Sequence, residues 1–125
     1  MILGIGTDLC DIGRVQRALD RYGERFATKI LVEAEMDRFR SHRKPAAYLA
    51  KRFAAKEAFS KAMGTGIRFP VNWHNVSVDN GRSGKPMLRF SDPLTALLKG
   101  RGIASAHLSL TDEVGMACAF VVLEG

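Results

Sequence analysis

"RFAAKEAFSKAMGTG", Arg52 to Gly66, is the stretch on which the reading of this chain turns. Alanines and long charged residues make it a helix, and Gly64 and Gly66 supply a stop. A helix turns about 100° per residue, so Phe53, Lys56, Glu57, Ser60, Lys61 and Gly64 fall within an arc of roughly 140°. Ala54, Ala55, Ala58 and Ala62 take the opposite side. The spacing predicts a helix packed closely through its alanines, with a carboxylate, two ammonium groups and a hydroxyl gathered in front. A plainer reading exists: Glu57 and Lys61 are an i,i+4 pair of the kind common on solvated helix faces, stabilising by roughly 0.2–0.5 kcal/mol. The rest of the chain has to decide between them.

Upstream, Pro45 can open this helix, and a shorter helix is expected from about Val32 to Ser41. The N-terminal "MILGIGTDL" reads as a strand entering a turn near Thr7-Asp8, with glycines that signal a close approach to its backbone. From about Ile12 to Phe26 the pattern predicts one helix. Val15, Ala18, Leu19, Tyr22 and Phe26 lie on one side, while Arg14, Arg17, Arg21 and Arg25 form a stripe within an arc of about 80°. Downstream, Val76 and Val78 alternate with Ser77 and Asp79, "DNGRSGKP" turns the chain, and "MLRF" returns as a partner strand. Asp92-Pro93 introduces a short helix. "SAHLSLT" and the apolar "MACAFVVLE" then close the chain as a second hairpin.

The chain has 125 residues, of which 46% are hydrophobic. Without repeats or linkers, residues 1–125 are expected to form a single domain of mixed helix and strand. Cys10 and Cys118 lack the spacing of a metal or redox pair and read as buried thiols. No secretory leader and no apolar run of about 18 residues are visible, so the expected location is cytoplasmic, with no membrane partner. Nineteen Lys and Arg against thirteen Asp and Glu give a net charge of +6. Such an excess favours a polyanionic partner: nucleic acid, an anionic membrane surface, a phosphate-rich small molecule or an acidic protein.

Asp8, on a glycine-bearing strand, and Glu57, on the mixed helix face, are oxygen donors. Magnesium takes only one or two protein carboxylates and completes its shell with water and substrate phosphate. Lys56 and Lys61 flank Glu57 where phosphate oxygens need positive charge. Asp8 alone also fits a turn-former or cap. Neither "GTG" nor "SGKP" has the spacing of a nucleotide-hydrolase phosphate loop. Lys85 reads as a turn lysine unless its hairpin faces an anion. His107, Ser109 and Thr111 share a strand face but make no nucleophilic triad, and His42 and His74 receive no role. The arginine stripe fits a solvated face relieved by Asp20 and Glu24, a nucleic-acid contact or a dock for an acidic helix, and no nucleic-acid-binding motif accompanies it.

"GIGTDL" at Gly4 to Leu9, the quoted helix, "GKP" at Gly84 to Pro86 and "HLSLTDE" before an apolar strand together resemble the holo-[acyl-carrier-protein] synthase family, the short bacterial phosphopantetheinyl transferases. The resemblance spans essentially the whole chain. It implies an α+β fold with an antiparallel sheet and a long central helix, in which two similar β-rich halves share helices and the chain assembles as a homotrimer. The implied reaction transfers 4'-phosphopantetheine from coenzyme A to a serine of apo-acyl-carrier protein, with magnesium. Asp8 and Glu57 are then the metal ligands, and with Lys61 the catalytic residues. Lys61 and Gly64, with Arg52 and Lys56, hold coenzyme A phosphates. Lys85 and Pro86 meet its adenine-bearing end, and His107 and Ser109 border the same cleft between subunits. Arg14, Arg17, Arg21 and Arg25 dock the acidic carrier. Cys10 and Asp11 depart from the residues usual there, which bears on the metal geometry near Asp8. No general base is assigned, Glu57 and a metal-bound water both being open. The rival reading is a small basic nucleic-acid-binding module, resting on charge alone.

Overall fold

A computed structural model describes residues 1–125. In chain order the elements are β1 (Ile2–Asp11), α1 (Ile12–Tyr22), α2 (Glu24–Ile30), α3 (Glu33–Ser41), α4 (Pro45–Met63), β2 (Val76–Asn80), β3 (Pro86–Phe90), α5 (Asp92–Gly100), β4 (Ser105–Glu113) and β5 (Met116–Glu124). The fold is α+β. One antiparallel sheet has the order β1-β5-β4, and a separate hairpin pairs β2 with β3. The two β-rich parts are therefore unequal, three strands against two, and not the similar halves expected.

Helix α4 is the spine. Leu49, Ala54, Ala55, Ala58 and Phe59 have no exposed surface, and the alanine side faces β1 as its small residues allow. Strand alternation sends Gly4, Gly6, Asp8 and Cys10 toward the helix and Ile5, Thr7 and Leu9 away from it. A Cβ at Gly4 would collide with the Ala62 carbonyl oxygen, and one at Gly6 with that of Ala58. Glycine is required here so that strand and helix backbones can touch.

Two sequence expectations need correction. β1 does not turn at Thr7-Asp8; it stays paired with β5 as far as Asp11↔Met116. The expected helix from Ile12 to Phe26 is two helices, because Gly23 adopts φ 65° and ends α1, its N–H donating to the Leu19 carbonyl. A glycine at positive φ can close one helix and admit the next at a new angle. Arg25 thus stands on α2, apart from Arg14, Arg17 and Arg21 on α1. Of the two cysteines, Cys10 is buried and Cys118 half-buried on the opposite sheet face.

That outer face carries Ile5, Leu9, Met116 and Phe120, all exposed, beside His107 and Ser109 of β4. No helix covers it. No helix of the chain is long and apolar enough to cross a membrane.

Candidate active site

The contact between β1 and α4 builds the site. With Gly4 and Gly6 seated on the alanines, the next inward residue, Asp8, arrives beside the preceding turn of the helix. There Lys61 Nζ donates to Asp8 Oδ1 at 3.0 Å and to the Thr7 carbonyl at 3.0 Å. The other Asp8 oxygen, Oδ2, is buried and unpartnered. Glu57, one turn before Lys61, lines a cleft of about 520 Å³ together with Asp8, Asp11, Arg14, Phe26 and Phe53. Burial pushes the Glu57 carboxyl above its ordinary range, the Asp8 charge pushes it further, and Lys61 pulls it back in part.

Two carboxylates are thus drawn together with incomplete compensation, which is the electrostatic condition that favours a cation. The donor set fits magnesium: two hard carboxylates, one with an orphaned buried oxygen, and an open cleft for water and phosphate. No group of three or more His, Cys, Asp or Glu side chains gathers in the chain, so a closed zinc-type cage has no residues to form it. Asp11 caps α1: its Oδ1 accepts from the N–H groups of Gly13 at 2.8 Å and Arg14 at 3.3 Å. The cap orients the helix that presents Arg14 at the cleft.

Lys56 does not join this site. One residue along a helix is a turn of about 100°, which carries its side chain away from Glu57 into the core. Its fully buried ammonium donates to the Ile30 carbonyl, to Glu35 Oε1 at 2.7 Å and to the Trp73 carbonyl at 2.8 Å. Three N–H bonds and three acceptors leave nothing for a phosphate. Glu35, its partner, was missed in the sequence. Its carboxylate also accepts from the N–H of Val32 at 3.0 Å and of Val78 at 2.8 Å. A glutamate three residues after a helix start was the available signal.

Arg52 belongs to a second cluster. It is buried, with its guanidinium 4.1 Å from the centroid of Tyr48 and Nη2 donating to Asn80 Oδ1 at 2.8 Å. Asn80 Nδ2 donates in turn to the Gly84 carbonyl at 2.9 Å, which joins Arg52 to the turn bearing Lys85 and Pro86. A cavity of about 510 Å³ opens here, lined by Arg38, His42, Arg43, Lys51, Arg52 and Asn80 among others. Its cations and the unpartnered Arg52 Nε make it a ready anion site. Sequence reading gave His42 no role and passed over Arg38, Arg43 and Lys51; the basic run "HRKP" before α4 was the visible trace.

The remaining candidates stand elsewhere. Gly64 closes α4 at φ 73° with open space around it. His107 Nε2 lies 3.0 Å from Glu124 Oε1 on the outer sheet face, with Ser109 two residues along. Arg52 and Glu57 point roughly 140° apart around α4. One chain therefore brings Asp8, Glu57 and Lys61 together, and separately links Arg52 through Asn80 to the Gly84 turn next to Lys85 and Pro86, but does not unite the two clusters.

A carboxylate pair with a lysine, and a separate cationic cavity, are groups of the chemistry that phosphate binding calls for. The family model described as the 4'-phosphopantetheinyl transferase superfamily matches residues 4–118. The chain is 55% identical over 99% of its length to a holo-[acyl-carrier-protein] synthase of Aromatoleum aromaticum, covering 98% of that protein. It is 52% identical, with 99% of each chain covered, to the synthase of Nitrosomonas europaea. Among solved structures, the synthase of Neisseria meningitidis superposes with a TM-score of 0.96 at 44% identity, covering all of both chains. That of Bacillus anthracis, in complex with CoA (3',5'-ADP), gives 0.83 at 36% identity, covering 98% of this chain and 96% of that one. The chain belongs to the 4'-phosphopantetheinyl transferase superfamily, in its holo-[acyl-carrier-protein] synthase family. It is an enzyme, and its reaction is transfer of phosphopantetheine from coenzyme A to apo-acyl-carrier protein in fatty-acid biosynthesis. The nucleic-acid reading of its positive charge is set aside.

Proposed function

We propose that Asp8, Glu57 and Lys61 carry this transfer with a magnesium ion, and that adenosine 3',5'-bisphosphate leaves as the carrier serine takes the phosphopantetheine. The observation that carries the reading is the orphaned Asp8 Oδ2 in the cleft shared with Glu57. Bound between these carboxylates, magnesium would neutralise charge on the pyrophosphate of coenzyme A. Lys61, half exposed and already anchored to Asp8, is placed to hold a phosphate oxygen from the open side. The Gly64 turn follows it within reach of the same phosphates.

The cavity of Arg52, tied through Asn80 to the Gly84 turn that precedes Lys85 and Pro86, suits the phosphate at the adenine-bearing end of coenzyme A. Because this cavity and the carboxylate pair lie on different sides of α4, the reading requires two chains for one coenzyme A. The uncovered outer sheet face, with Ile5, Leu9, Met116 and Phe120, supports a homotrimer in which neighbouring copies bury it. His107 and Ser109 then border the cleft of an adjacent subunit.

Arg14, Arg17, Arg21 and Arg25 are all exposed and none enters an ion pair. Asp20 and Glu24 do not relieve them, being engaged by Gln16 and Arg40. Arg14 lines the cleft itself, so an acidic helix on this surface delivers its serine toward Asp8 and Glu57. Incubation with coenzyme A, magnesium and apo-carrier protein should add the phosphopantetheine mass to the carrier, and a chelator should prevent it. Full transfer in the presence of chelator rejects the metal assignment.

A further inference from the structure

Lys56 and Glu35 are the buried charged groups that the transfer leaves unused. A buried ion pair is weak as a source of stability, because apolar residues of similar volume often serve as well. What an ammonium does that no methyl group can is aim three donors at three fixed acceptors. Lys56 spends one on the Ile30 carbonyl at the end of α2, one on Glu35 of α3 and one on the Trp73 carbonyl beyond α4. Two of these anchors lead back to the cleft. α2 carries Phe26, while the Trp73 ring stacks on Phe53 with centroids 5.1 Å apart and planes at 22°. Phe26 and Phe53 both line the cleft that holds Asp8 and Glu57.

We infer that Lys56 and Glu35 are a positioning pair, which sets the aromatic walls of the cleft on the side where the carrier protein enters. Lys56 therefore acts on the carrier through Phe26 and the Phe53–Trp73 stack, and does not touch coenzyme A. This rests on the cleft being the transfer site. It separates from that reading because Trp73 is the single tryptophan, so its emission reports the wall without turnover.

The decisive variant is Lys56→Met combined with Glu35→Gln, which removes the three donors while leaving no unpaired charge. With the fold verified by circular dichroism, its Trp73 emission should change, and the KM for apo-carrier should rise about tenfold while that for coenzyme A stays within about twofold. Glu35→Gln alone keeps the carbonyl anchors and should give a smaller change of the same kind, which serves if the double variant fails to fold. Native emission with native carrier KM in a folded double variant overturns the inference. So does altered emission with both KM values unchanged, or a raised KM for coenzyme A alone, which would return Lys56 to the phosphate. If the native enzyme transfers nothing, the functional reading fails, while the emission arm still decides whether the pair sets the wall.

Discussion

Helix α4 carries Lys56 and Lys61, each paired with a carboxylate, and the two pairs have opposite fates. Lys56 and Glu35 are 0% and 2% exposed, 2.7 Å apart, with every donor of the ammonium engaged. Lys61 and Asp8 are 52% and 14% exposed, 3.0 Å apart, with Asp8 Oδ2 left without a partner. The same two functional groups thus make a closed joint in one place and an open site in the other. Residue type does not separate these roles. Satisfaction does, since a saturated buried pair can only hold, while an unsaturated one beside a second carboxylate has capacity left for a ligand.

The strongest way to break this comparison is to remove the open site. Glu57→Gln or Asp8→Ala should lower transfer by at least about a thousandfold, in keeping with the several kcal/mol a metal contributes to charge stabilisation, while circular dichroism stays native. Near-native turnover in either variant would reject the ligand pair. Stability supplies an independent sign. The folded-state pKa of Glu57 is raised, by burial first and Asp8 second, so the folded protein holds the extra proton between the unfolded and folded values. Stability falls as pH rises through that window, and ionised Glu57 is a net cost at neutral pH. Metal-free Glu57→Gln should then melt above the native protein at pH 7, with the difference vanishing in acid; a lower melting temperature would contradict the strain assigned to the pair.

The closed joint should answer in the opposite currency. Lys56→Met alone strands Glu35 as a buried charge and should cost about 3–5 kcal/mol of unfolding free energy, the usual result of removing one partner. Denaturant unfolding measures it. Addition of Glu35→Gln should recover much of that loss, and failure to do so would mean that the bonds to the Ile30 and Trp73 carbonyls, not the charge balance, hold the joint.

How much of this was legible in the sequence follows from the same contrast. Periodicity exposed α4, both hairpins and the last helix, because each pattern is local. The glycines of β1 and the alanines of α4 each signalled a close backbone approach, but that they meet each other, and so bring Asp8 to Glu57, was implied only by the family resemblance. The break at Gly23 was not readable, because an apolar pattern runs through it and nothing local reveals φ 65°. Nor was the fate of Lys56. Its acceptors come from α2, α3 and the segment after α4, and a lysine facing solvent is spelled the same as one facing a buried glutamate. The cationic cavity left only the basic run from His42 to Lys44 as a trace, for a like reason, being assembled from α3, α4, β2 and a loop.

A smaller effect sharpens the open side of the comparison. Lys61→Met should cost less stability than Lys56→Met, because the ammonium removed is half solvated, although Asp8, at 14% exposure, loses its partner. It should nonetheless lower kcat by roughly ten- to a hundredfold through loss of a cation at the transferred phosphate. A large stability loss would mean that Lys61 is a joint like Lys56.

The least effect belongs to the arginines, which lie outside both pairs. Charge reversal of Arg14 and Arg21 together should raise the KM for apo-carrier several-fold and flatten its dependence on salt, with kcat at saturation little changed. Rim charges act on encounter more than on the docked complex, and screening over about 10 Å at 0.1 M salt should erase most of the difference from the native enzyme. Arg17 and Arg25, on successive helices divided by Gly23, test whether the dock is one stripe or two. If reversal of Arg25 matches that of Arg17, the carrier spans the break. An effect confined to Arg14, Arg17 and Arg21 would place it along α1 alone, and no effect from any of the four would remove the carrier from this surface.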